Sequence, residues 1–278
     1  MNSMQVKDKV RNIANKKNVD FNNVFRLYMY DRFIERLSVS RYKDNFILKG
    51  GFYLSSLFGV ENRSTMDIDT AITKATFSED NIRKMLESIV KINLNDNAIL
   101  ELVKLGTIRE EDKYGGYRAT ISVKIENIRE SFQIDIATGD PITPKAIIYK
   151  YLPTLGDKYI NLWAYNIETV LAEKLETILT RAAGSSRTRD YYDIYLIYKM
   201  YWNNVNKDHF RKAVENTFEK REFNKDINET ISIIKNSWIL KERWISYAKE
   251  YKYAKEISFA EILKCLESII EVIEPVTV

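Results

Sequence analysis

The chain has 278 residues, 45% of them hydrophobic and 29% charged, a length and balance that suit one large or two small folded domains and exclude a disordered polymer. No apolar run reaches the roughly 18 residues of a membrane helix, and the polar start MNSMQVKDKVRNIANKKN lacks a signal core, so the expectation is a cytoplasmic protein without membrane contact. A single cysteine, Cys265, rules out an internal disulfide, and a single histidine, His209, leaves neither a His/Cys zinc site nor a Ser-His-Asp triad to build. Cys265 lies among Phe259, Ile262, Leu263, Leu266 and Ile269 and reads as a buried helical thiol, and His209 reads as a surface residue.

Taken in chain order, Phe21, Val24, Leu27, Tyr28, Phe33, Ile34 and Leu37 predict a helix over 20–38. A short apolar strand over 46–48 leads into Gly50-Gly51, followed by a short helix over 52–58 and a strand over 67–73. Ser78 is placed to cap a helix whose face carries Ile82, Met85, Leu86 and Ile89. Strands are expected over 99–109, 117–126 and 131–137, with Gly115-Gly116 at a hairpin turn before the alternating Tyr117, Ala119, Ile121, Val123 and Ile125. All nine glycines lie at or before Gly184, and only Pro275 follows it among the prolines, so the rest reads as a run of helices. The predicted class is α+β: a mixed sheet flanked by helices over 1–163, then a helical domain over 164–278.

Two carboxylates dominate the middle of the first domain. Residues two apart on a strand share a face, so Asp67 and Asp69 stand together with Ile68 turned to the core. They are either a solvated pair on an edge strand or a site for a hard divalent cation such as Mg²⁺, which removes their repulsion. In SFQIDIATGD, Asp135 shares its face with Gln133 and Ala137, opposite Phe132, Ile134 and Ile136. If its strand adjoins that of Asp67, three carboxylates converge, enough for a two-metal site of phosphoryl or nucleotidyl transfer. Asp140 is expected to shape the turn after that strand. Gly50-Gly51, opening a helix, forms an anion-binding corner for a triphosphate. Neither GxxxxGK[ST] nor GxGxxG occurs, so Walker-type and dinucleotide-binding sites are unsupported.

Two further polar groups interrupt apolar stripes. Lys174 falls within the stripe Ile167, Val170, Leu171, Leu175, Ile178 of a helix over 166–182, where it either snorkels or reaches an anion such as a nucleotide phosphate. In the next helix Asp190 and Asp193 share a face with Ile194 and Ile197, and Lys174 with Asp193 reads as an ion pair or as a polar pair aimed at one ligand. Between them TRAAGSSRTR gathers Arg181, Arg187 and Arg189, a loop suited either to phosphates or to solvent. Residues 199–256 carry 13 Lys/Arg against 9 Asp/Glu, which equals the net charge of +4 and leaves a weak lean toward a polyanion beside an ordinary solvated surface.

LKGG at 48–51, RSTMDID at 63–69, IDIATGD at 134–140 and EKLETILTRAAGSSRTRDYYDIYLI at 173–197 together resemble the AbiEii/AbiGii nucleotidyltransferase family, toxins of bacterial type IV toxin-antitoxin and phage abortive-infection systems. The resemblance implies a DNA polymerase β-like core followed by a helical C-terminal domain whose Lys and Asp join the same cleft. It implies Asp67 and Asp69 as metal ligands, Asp135 as the third acid, Lys174 as the motif lysine, and Asp193 or Asp190 as the late aspartate. Lys49, Gly50, Gly51, Arg63 and Thr65 fall in the nucleotide-binding motifs, with Arg181, Arg187 and Arg189 beside them. The implied activity is Mg²⁺-dependent transfer of a nucleotide, from GTP or a pyrimidine NTP, to RNA, with the tRNA 3′ end favoured. A DNA-binding antitoxin is the implied partner, acting without the need for a stable complex. Two alternatives stand beside it: a GTP-binding toxin without RNA transfer, and transfer to a small molecule. One departure is Phe52, where many nucleotidyltransferases place a serine after the glycine; Thr65 is the nearby hydroxyl and a candidate for self-modification.

Overall fold

The computed structural model describes residues 1–108, 115–138 and 140–273. The last residue of the strand expected over 99–109, the turn before Gly115, and Gly139 and Pro275 lie outside the described residues. The chain divides into two compact units, one of residues 1–139 with 147–164 and one of residues 140–146 with 165–278.

In the first unit the helices are α1 (Ser3–Lys17), α2 (Phe21–Val39), α3 (Gly50–Phe58) and α4 (Glu79–Val90), and the strands are β1 (Phe46–Lys49), β2 (Asp67–Ile72), β3 (Ile99–Thr107), β4 (Gly116–Ile125), β5 (Ile128–Thr138), β6 (Ile147–Tyr151) and β7 (Ile160–Ala164). Local chemistry explains the helix starts: Asn2 and Gln5 form a capping box, Asp20 caps α2 and Ser78 caps α4 through the Asn81 N–H. The strands form one mixed sheet in the order β3-β4-β5-β2-β1-β7-β6, parallel between β2 and β5 and between β1 and β7, antiparallel elsewhere. Three elements go beyond what periodicity predicts. α1 buries only Val6, Val10 and Ala14, and β6 lies at the sheet edge with Tyr151 as its one buried residue. β7 is a short strand paired to β1 and β6.

Alternation along β5 turns Phe132, Ile134 and Ile136 into the core. There Phe132 meets Tyr30 at 5.0 Å between ring centroids, and Phe52 of α3 meets Tyr30 at 5.9 Å and Tyr151 at 5.5 Å. Each such ring contributes about 1.5–3 kcal/mol by burial, which anchors α3 and β5 and leaves the opposite side of β5 free to carry polar groups. Ile68 is fully buried, so β2 is anchored the same way.

The second unit is helical: α5 (Ile167–Arg181), α6 (Thr188–Tyr201), α7 (Lys207–Lys220), α8 (Ile227–Asn236), α9 (Trp238–Glu250) and α10 (Phe259–Ile273). Asn166 caps α5 and also donates to the carbonyls of Thr143 and Lys145, which ties residues 140–146 into this unit. Cys265 is buried and His209 exposed. Among the described residues no helix is long and apolar enough to cross a membrane.

Candidate active site

Strand pairing assembles the acids. β2 lies between β1 and β5, with Asp69 opposite Lys49 on one side and opposite Asp135 on the other. Asp135 in turn lies opposite Arg118 of β4. One row of side chains therefore crosses four adjacent strands as Arg118, Asp135, Asp69, Lys49, with Asp67 two residues from Asp69 on the same face. Carboxylate oxygens of Asp67, Asp69 and Asp135 lie within 4.8 Å of one another. An all-oxygen set at that spacing fits a hard divalent cation.

Asp69 is also tied to the start of α3. The Gly51 N–H donates to Asp69 Oδ2 at 2.7 Å, and no side chain caps α3, so this carboxylate serves the positive end of the helix. That approach needs glycine: Gly50 has φ +56°, and a Cβ there would lie 2.3 Å from Asp69 Oδ2. A Cβ on Gly51 would lie 2.9 Å from Thr65 Oγ1 and 3.1 Å from Arg63 Nη2, which places both side chains beside the corner. Arg63 is buried and its Nη1 donates to the Ser64 carbonyl. Thr65 is 4% exposed and its hydroxyl donates to the Asp67 carbonyl at 3.1 Å. The departure at Phe52 has a packing reason, since its ring belongs to the core and the hydroxyl beside the glycines is that of Thr65.

Electrostatics at the cluster are unfavourable without a cation. Burial, then the neighbouring Asp67, pushes the Asp69 carboxyl up to about 6. The Gly51 N–H opposes that shift, Asp135 adds to it and Lys49 subtracts from it. Arg118 meets Asp135 through two hydrogen bonds, Nε to Oδ1 at 2.7 Å and Nη2 to Oδ2 at 2.6 Å.

Within the helical unit, Lys174 Nζ bridges Asp190 at 2.8 Å and Asp193 at 2.7 Å, with Asp193 fully buried. Burial works to lower the lysine's pKa, and the two carboxylates more than offset it, so the ammonium is held above its ordinary range. Arg187 adds a contact to Asp190 at 3.0 Å. Arg189 Nη2 donates to the Tyr251 hydroxyl at 3.1 Å, and Arg181 is exposed at the end of α5. Asp140 does more than shape a turn, because Arg221 joins it at 2.9 Å, Glu176 at 2.7 Å and Glu173 at 3.6 Å.

Arg118 and Arg221 are absent from the set read out of the sequence. The signal for Arg118 is present, since the alternation of Tyr117, Ala119 and Ile121 turns it to the polar face, but only the strand register aims it at Asp135. For Arg221 no local signal exists.

A mixed sheet carrying an Asp-x-Asp pair, a third acid on the adjacent strand and a glycine-started helix beside them is an arrangement that can serve metal-dependent nucleotidyl transfer, and a helical C-terminal region follows it. The chain matches the model of the family described as Nucleotidyl transferase AbiEii toxin, Type IV TA system, over residues 32–265, and belongs to that family. It is therefore a nucleotidyltransferase of a toxin-antitoxin family. Among solved structures it is similar to a candidate nucleotidyltransferase from H. pylori, with 17% identity, 89% of this chain and 96% of that one covered and a TM-score of 0.45. It is also similar to JHP933 from Helicobacter pylori, with 16% identity, 84% and 97% covered and a TM-score of 0.44. An antigenic nucleotidyltransferase-like protein from Paracoccidioides brasiliensis shows 15% identity, 74% and 93% covered and a TM-score of 0.40. No curated protein matches the chain.

Proposed function

We propose that this toxin transfers a nucleoside monophosphate from an NTP to an RNA hydroxyl, with GTP or a pyrimidine NTP as donor and the tRNA 3′ end as acceptor. The observation that carries the reading is the acid triad, whose oxygens lie within 4.8 Å of one another beside the start of α3. Asp67, Asp69 and Asp135 would hold Mg²⁺, which when bound supplies positive charge to the reacting phosphate. The RNA oxygen attacks the α-phosphorus, its proton is taken up by Asp135, the bond from the α-phosphorus to the bridging oxygen breaks, and pyrophosphate leaves. The first-turn N–H groups of α3, with Lys49, Arg63 and Thr65 beside them, favour the triphosphate through the helix dipole and local positive charge. Lys174 with Asp190 and Asp193 orders α5 against α6, and Arg181, Arg187 and Arg189 are assigned to phosphates of the nucleotide or RNA. A modified tRNA end would stop translation in the cytoplasm, and an antitoxin that represses the operon would oppose the arrest.

The test is incubation of the purified chain and Mg²⁺ with each α-³²P-labelled NTP, with and without total tRNA, resolved on a denaturing gel. Label on tRNA from one NTP, lost in Asp67→Ala, is the expected result and names the donor. Nucleotide binding without label on RNA or protein would overturn transfer and favour a GTP-binding toxin. Label on a small acceptor in the absence of tRNA would move the reaction to that substrate class.

A further inference from the structure

Arg118 stands at the end of the acid row and has no part in the transfer as described. Its guanidinium engages both oxygens of Asp135, at 2.7 and 2.6 Å, so one lone pair on each oxygen is already taken and a cation approaching Asp135 meets the guanidinium charge there. The contact is also one that can be exchanged. The Arg118 side chain is 44% exposed and that of Asp135 20%, whereas Arg36, in a similar two-toothed contact with Asp96, is 1% exposed. A half-exposed guanidinium can turn into water with little loss of packing, and water screens the pair it leaves. The reason for a cation at this position is the repulsion among three acids that close, of which Arg118 relieves Asp135 at one end of the row.

We propose that Arg118 is the resident counter-cation of the acid triad and that metal entry displaces it from Asp135. This rests on the reading of Asp67, Asp69 and Asp135 as a metal site. Arg118 then acts as a positioning residue with two effects: it keeps the metal-free acids in place, and it sets metal affinity below what the three carboxylates alone would give.

Mn²⁺ binding to the full chain by titration calorimetry, for the wild type and Arg118→Gln, gives the first readout. Removal of an exchangeable surface pair should tighten binding about fivefold. Because loss of a positive charge alone also favours a cation, a second readout follows the wild type directly: the Arg118 Nε–H NMR signal, assigned by its absence in the variant, during Mg²⁺ addition. Movement of that signal to the value of a solvated arginine, in step with metal binding, is the expected result. A signal that stays at its paired position once metal saturates the site would overturn the proposal and leave the metal site standing. Failure of both proteins to bind Mn²⁺ would overturn the metal reading itself.

Discussion

The two units each gather acids around cations, in opposite arrangements. In the helical unit a cation occupies the centre: Lys174 lies between Asp190 and Asp193, and Arg221 among Asp140, Glu173 and Glu176. In the sheet unit the acids occupy the centre of the row and the cations its ends, so Asp69 faces Asp135 across the strand pair and has Asp67 two residues away. A buried acid facing a cation of its own chain is a packing element, whereas acids that face one another leave room for an outside cation. Asp31 shows a third arrangement, in which a fully buried carboxylate is met by the Tyr151 hydroxyl and by the Thr154 N–H at 2.7 Å.

The largest effect expected from this difference is on activity. Asp69→Asn keeps an acceptor for the Gly51 N–H and removes a charge from the centre of the row. Nucleotidyl transfer should fall by about a thousandfold or more, while the thermal midpoint of the metal-free protein stays level or rises. A midpoint that falls by several degrees would place Asp69 among the packing elements and break the comparison. Lys174→Met does the reverse, because it takes the lysine from the fully buried Asp193 and leaves Asp190 with Arg187. It should cost about 3–5 kcal/mol in urea unfolding, and a loss under 1 kcal/mol would show that these acids are not held by the lysine.

Asp31 sharpens the comparison through pH. Burial pushes its carboxyl up to about 6 against hydrogen bonds and Arg32 that act to lower it. Below about pH 4 both folded and unfolded chains hold the proton; between about 4 and 6 only the folded chain does, so the stability owed to this group falls as pH rises through that window. Relative to the wild type, Asp31→Asn should gain up to about 3 kcal/mol between pH 4 and pH 7, read from paired urea curves. A constant difference between the two proteins would mean that Asp31 titrates normally. The smallest effect is that of metal on stability. Mg²⁺ at about a hundred times its dissociation constant should stabilise the wild type by about 2.7 kcal/mol and Asp69→Asn by much less, and equal stabilisation of both would place the metal elsewhere.

Sequence alone determined what local rules encode. Periodicity of two placed Asp67 with Asp69 and turned Asp135 away from Phe132, Ile134 and Ile136, and a capping serine marked the start of α4 at Ser78. The absence of glycine after Gly184 foretold the helices α6 to α10, because backbone breakers act where they stand. Motif order along 48–197 was enough to point to the family. Partnership across the sheet was decided elsewhere. That Asp135 sits beside Asp69, that Arg118 clamps it from 17 positions away and that Arg221 reaches Asp140 from 81 positions away follow from strand register and helix packing. The first of these is set by burial of Ile68 and Phe132 on the other side of β2 and β5. A residue's own neighbours in the chain tell which face it shows, and only the packed core tells what that face meets.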